Sequence, residues 1–251
     1  MAKLLRFEFH KLIRQKSFYI CLAVAVAMLV VSTCTTYLIN KDVMDTAEMG
    51  IDAMNVMIGS ASGGVLSMVI GVFIPLFACE DYVSGTIRNI ITRGYSRLAI
   101  FSAKLIAVML ATAVMTIACM AAGYLIGLIF SGSGVEPFDA ATVKILLCQL
   151  AVMLAEGALF YAISTVLQKT GGSIAVCLVL PMVLTIVLTL ADTALAEKDI
   201  SLSAYWLERI SGTLSSFDVK SADMKKALLT ALGYFVVTSA GSFLAVMKRE
   251  Y

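Results

Sequence analysis

Along this chain, long stretches without a charged residue alternate with short polar segments. The uncharged runs occupy residues 17–40, 53–79, 105–135, 145–155 followed by 157–168, 170–191 and 227–247. A bilayer core of about 30 Å takes about 20 apolar residues of helix. Each run meets or approaches that length, provided Glu156 is accommodated inside the fourth. The pattern predicts an all-α, polytopic membrane protein with six transmembrane helices at about 18–39, 55–79, 104–130, 145–168, 170–191 and 227–247. The Gly-rich stretch 131–134 ends the third span, and Gly59–Gly64 loosens the start of the second.

Composition agrees with that pattern. Of 251 residues, 60% are hydrophobic and 14% charged, with a mean hydropathy of +0.94. A soluble domain carries about 25% charge, so a soluble fold, a disordered chain and a disulfide scaffold are all excluded, and 1–251 reads as one transmembrane domain. Where the charges fall changes the picture more than their number. Lys3, Arg6, Lys11, Arg14, Lys16, Arg88, Arg93, Arg97, Lys104, Lys169, Lys248 and Arg249 share one side with four acids, whereas the other side has seven cations and twelve acids. Positive residues favour the cytoplasmic side. The expectation is a multi-pass protein of the cell membrane with both termini cytoplasmic.

Several segments depart from simple spanning helix. In residues 1–17, Leu5, Phe9, Leu12 and Ile13 fall near one helical face and the cations largely elsewhere, the pattern of a helix lying in the headgroup layer against membrane lipid. In the connection after the second span, Val83, Ile87, Ile90 and Ile91 stand at i, i+4, i+7 and i+8, which predicts an amphipathic helix over about 81–93, rimmed by Arg88 and Arg93. That face can press on a soluble partner or rest on the lipid surface. Gly94 suits a left-handed cap for this helix, and Ser96 an N-cap for the next span. Glu156 sits near the middle of the fourth span. An intramembrane charge costs about 2.5–3.5 kcal/mol on insertion scales, so it should face protein or water or be protonated, as a substrate contact, a gate partner or a structural hydrogen bond to Ser, Thr or Gln on a neighbouring helix. Gly59, Gly63, Ser67 and Gly71, and again Gly123 and Gly127, repeat every fourth position, which lets helices approach closely. Pro75 and Pro181 fall inside spans. The outer connection 192–226 is long, and Tyr205, Trp206, Leu207, Ile210 and Leu214 interrupt its charges, as short helices dipping into the interface would.

Some chemistry is missing. The single histidine, His10, cannot build a multi-histidine zinc site, and no G-x-x-x-x-G-K-[ST] loop occurs for ATP. No metal or cofactor site and no nucleic-acid surface is expected. All six cysteines fall in spans and read as small apolar residues.

The string Asp81-x-x-x-Gly-Thr-Ile-Arg-Asn-Ile-Ile-Thr-Arg-Gly-Tyr-Ser-Arg-x-x-Ile-x-x-x-Lys104 resembles the signature after the second span of type-2 ATP-binding-cassette (ABC) permeases. It is similar in particular to the branch of bacitracin and lantibiotic immunity permeases and phenol-soluble-modulin exporters. The resemblance implies an ATPase-coupling role for Asp81, Val83, Gly85, Thr86, Ile87, Arg88, Ile90, Ile91, Arg93, Arg97 and Lys104, with Ser96 and Arg97 as the Ser-Arg that begins the third span. It implies two partner ABC ATP-binding subunits that carry the Mg-ATP, a second permease, identical or homologous, and outer helices over 192–226 that cap the pathway. The expected function is a non-enzymatic permease subunit of an exporter of amphipathic or antimicrobial peptides in a bacterial membrane, with Glu156 as the substrate-pathway candidate. An ion-coupled secondary transporter using Glu156, or a membrane sensor or assembly protein, are the alternatives.

Overall fold

The computed structural model describes residues 2–43, 53–130, 140–195, 201–215 and 221–247, and among these no strand occurs. In order the helices are α1 (Ala2–Arg14), α2 (Lys16–Val43), α3 (Ala53–Ser60), α4 (Gly63–Val83), α5 (Thr86–Thr92), α6 (Arg97–Phe130), α7 (Ala140–Leu167), α8 (Thr170–Ala194), α9 (Leu207–Leu214) and α10 (Ser221–Met247), with a 3-10 turn at Ser203–Tyr205. The Gly-rich stretch 131–134 and the cations Lys198, Lys220, Lys248 and Arg249 lie outside the described residues.

Six segments are long and apolar enough to cross a membrane: Lys16–Ile39, Ala53–Val83, Arg97–Phe130, Ala140–Leu167, Thr170–Ala194 and Ser221–Leu244. The protein is an all-α, polytopic membrane protein. Several of its helices overrun the uncharged stretches. Helix α4 continues through Glu80 and Asp81, α6 begins before Lys104, and α10 takes in Lys225 and Lys226. A charge ends an uncharged run but not a helix, because Lys and Glu are good helix formers.

Helices α4, α6 and α7 form the centre, packed around Phe73, Ile74, Phe77, Met115, Met153, Phe160 and Tyr161, all fully buried. Helices α2, α8 and α10 lie outside and present Val31, Ile186 and Val237 outward. In lipid such faces carry no penalty, and helix association rests instead on close packing. The third-span glycines supply it: a Cβ on Gly127 would lie 2.6 Å from Ala53 Cα, and one on Gly123 would lie 2.7 Å from Ser60 Oγ. The α3–α6 seam therefore depends on both. In the second-span repeat, a Cβ on Gly71 would lie 3.4 Å from the Phe160 ring, whereas one on Gly59 would have nothing within 4 Å. That span is broken between α3 and α4 at Ala61–Ser62. Pro75 and Pro181 lie inside continuous helices.

Candidate functional site at the α4–α5–α6 connection

The expected single helix over 81–93 is divided. Val83 ends α4, and Gly85 takes the left-handed conformation (φ +70°) that a side chain resists, which lets the chain turn into the seven residues of α5. Thr86 opens α5 and its hydroxyl lies 2.8 Å from that of Ser84. At the far end Gly94 is left-handed (φ +83°), and its N–H donates to Ile91 O at 2.9 Å. Ser96 Oγ then accepts the Ala99 N–H at 3.2 Å at the start of α6, as an N-cap does.

Much of the apolar face of α5 turns inward, onto its own chain, a third arrangement beside the partner and the lipid surface that the pattern left open. Ile87 is buried, and with Ile91 it borders a small pocket beside Arg97, Ile100 and Tyr161. Ile90 and Ile91 pack on Leu4, Ile100 and Ala103. Burying this face against α1 and α6 removes from water the surface that a lone two-turn helix would expose. Asn89, Thr92 and Arg93 remain outside, and Val83, on α4, is 70% exposed. The Arg88 side chain lies outside the described residues.

Beneath α5, side chains distant in sequence meet in a buried charged cluster. Asp81, 3% exposed, accepts hydrogen bonds from both Lys11 (2.5 Å) and Lys104. Lys104 is 2% exposed, with Ala78 O at 3.4 Å as a second acceptor. Lys11 also pairs with Glu80 at 3.1 Å. Helices α1, α4 and α6 are thus joined through one carboxylate. Burial works against the Lys11 charge, but the hydrogen bond and charge of Asp81, with those of Glu80, outweigh it and hold the ammonium above its ordinary pKa.

Glu8 completes the cluster. It is 1% exposed, and neither carboxylate oxygen has a hydrogen-bond partner among the described residues. Burial pushes its carboxyl above the usual range, against the pull of Lys104 and with the push of Asp81. The inner face of α1 is therefore Leu4, Glu8, Lys11 and Leu12, whereas Ile13, expected beside Leu12, is 63% exposed. Sequence reasoning passed over Glu8 and Lys11. A signal was present: Glu8 stands four residues from both Leu4 and Leu12, on the stripe that a docked helix buries.

Glu156 occupies a separate place, in the middle of α7. Ser67 Oγ on α4 donates to its Oε1, and Oε2 has no partner among the described residues. Seven residues earlier on the same helix, buried Gln149 donates through Nε2 to Ile58 O of α3 at 3.0 Å. The two polar groups of α7 thus bracket the break between α3 and α4. Helix α9 packs close by, setting Leu207, Ile210 and Leu214 against Val152 and Ala155 of α7. Thr185 on α8 donates to Glu208 at 2.7 Å and accepts Trp206 Nε1–H at 3.0 Å, which fastens the start of α9.

Among the described residues no three His, Cys, Asp or Glu side chains gather as metal ligands would. All six cysteines are free thiols.

A family model described as ABC-2 family transporter protein matches residues 4–192. No curated protein matches the chain. The matched stretch takes in α1 from its third residue, the charged cluster, α5 and the first five of the six spans, the fifth to within two residues of its end. The chain belongs to the ABC-2 transporter family, and is a membrane transport component.

Proposed function

We infer that this protein is the permease subunit of an ATP-driven exporter, with α5 and the end of α4 forming the surface on which a separate ABC ATP-binding subunit acts. The observation that carries the reading is the charged cluster beneath α5. A push on this short connection reaches α4 through Asp81, α6 through Lys104 and α1 through Lys11, without a flexible intermediate. Buried, fully engaged ion pairs hold a fixed geometry, which suits force transfer. Thr86, Asn89, Thr92, Arg93 and Val83 face the partner, whereas Ile87, Ile90 and Ile91 hold α5 to its own protein. Two such ATPases, carrying the Mg-ATP, work with two permeases, and the basic end of the bundle faces the cytoplasm of a bacterial cell.

The cargo we propose is an amphipathic or antimicrobial peptide. The similarity of the Asp81–Lys104 string to peptide-immunity and modulin permeases supports this, as does a carboxylate with one unengaged oxygen, Glu156, at mid-membrane. Affinity purification of the tagged chain from its own cells tests the assembly. Recovery of a Walker-motif ATPase is expected, and Val83→Glu, on an exposed side chain, should weaken that recovery while leaving the spans folded. Wild-type protein that recovers no ATPase and transports without ATP, with transport lost in Glu156→Gln, would replace this reading with ion-coupled transport.

A further inference from the structure

The inner face of α1 carries one group that the charged cluster leaves unmatched. Glu8 is 1% exposed, between Leu4 and Leu12, and neither of its oxygens accepts a hydrogen bond among the described residues. Cations stand close by, yet they are turned elsewhere. Lys11 donates to Asp81 and pairs with Glu80, and Lys104 gives its hydrogen bonds to Asp81 and Ala78 O. The charged side chains that act on Glu8 are Lys104 from α6, Asp81 and Glu80 from α4, and Lys11 from α1 itself. Those two cations and two carboxylates already balance. Lys3 and Arg93 face a groove between α1 and α5 that Glu8 does not line.

An ionised carboxylate buried without a donor is very costly, whereas a neutral carboxyl is far cheaper to bury. Glu8 therefore fits this cluster as the uncharged acid. Ionisation adds a third negative charge to a balanced set, and relief comes by two routes. Glu8 reaches water, which at 1% exposure requires α1 to lift from α6, or it draws Lys11 away from Asp81. Either route loosens α1. The effect reaches α5, because Leu4, one turn before Glu8, packs with Ile90, Ile91, Ile100 and Ala103.

We propose that Glu8 is a proton-operated latch: α1 docks on α4 and α6 while this carboxyl holds its proton and is released when the proton leaves. The pH around this end of the bundle thus sets how firmly α1 backs α5. The latch itself requires only α1, α4 and α6; its bearing on transport rests on the reading of α5 as the ATPase surface.

Hydrogen–deuterium exchange of the full chain in detergent, read by mass spectrometry from about pH 5 to about pH 8, tests it. Wild type and Glu8→Gln are compared at each pH, so that the intrinsic exchange rate cancels. In the released state Glu8 titrates near its ordinary value of 4.5. Wild-type exchange in α1, relative to Glu8→Gln, should therefore rise by about tenfold per pH unit and level off once pH passes the docked-state value. Exchange in α7 should be the same in both proteins at every pH. Should Glu8→Gln fail to fold, Glu8→Met, equally unable to titrate, takes its place. A ratio for α1 that does not change with pH would overturn the latch, even where an ATPase is recovered from cells. So would loss of protection in α1 and α7 together, because the whole chain would then be opening. Release of α1 as expected, with no ATPase recovered, would overturn the reading of α5 and leave the latch standing.

Discussion

Asp81 is the single carboxylate shared by Lys11 and Lys104, so neutralising it should be costly. In Asp81→Asn the shape is kept and the charge is lost. Lys11 retains Glu80 at 3.1 Å and is partly exposed, so it can rearrange. Lys104 cannot: it is 2% exposed, and its remaining acceptor besides the new amide is Ala78 O at 3.4 Å. Leaving one partner of a buried pair uncompensated costs about 3–5 kcal/mol, whereas replacing both by groups of similar volume is often neutral. Asp81→Asn should therefore destabilise by about 3 kcal/mol. Lys104→Met should cost less, about 1–2 kcal/mol, because Asp81 keeps Lys11. The double variant should recover most of the loss, giving a coupling of about 2–3 kcal/mol in a double-mutant cycle. Equilibrium unfolding of the purified protein in mixed micelles measures all four corners. Glu8 lies close enough to feel the Lys104 charge and could ionise to replace Asp81. Repeating the cycle in a Glu8→Gln background closes that route. A loss below about 1 kcal/mol in that background, or a double variant as unstable as Asp81→Asn, would refute the claim that the cluster is a coupled, desolvated unit.

Other expectations rest on local geometry. Gly127→Ala places a methyl 2.6 Å from the Ala53 backbone and should cost about 1–3 kcal/mol by forcing α3 away from α6. Gly59→Ala meets nothing within 4 Å and should instead stabilise by up to about 1 kcal/mol, read in the same unfolding assay. Glu8 is an acid whose folded pKa is raised, so the native state binds its proton more tightly than the unfolded chain does. The associated stability is fully present below the unfolded value near 4.5 and is lost as pH rises through the folded value. Glu8→Gln should remove this decline, so its unfolding midpoint should gain on the wild type as pH is raised from 4 to 8. A pH-independent difference between the two would show that the carboxyl does not titrate differently on folding.

Much of the connection was legible because local backbone demands are written in single residues. Gly94 ends α5 and Ser96 caps α6 as their chemistry implies. Gly123 and Gly127 announced a close helix approach and made one, with α3. The orientation of Ile87, Ile90 and Ile91 was not legible. Periodicity shows that a face is apolar, not whether it meets lipid, a partner or its own chain. Nor did the second-span repeat distinguish Gly71, where a Cβ would touch Phe160, from Gly59, where one would meet nothing within 4 Å. Gln149 was overlooked, although it stands seven residues before Glu156 on the same face.

By itself the sequence determined the solvent and the number of crossings, because in a bilayer each backbone amide must be satisfied within its own helix. It follows that run length and charge spacing are sufficient to locate six spans. Only the tertiary structure decided which charges compensate one another. Lys11, Asp81 and Lys104 are separated by 70 and 23 residues, and no periodic pattern links them. Their pairing depends on how α1, α4 and α6 cross, and side-chain packing sets that crossing.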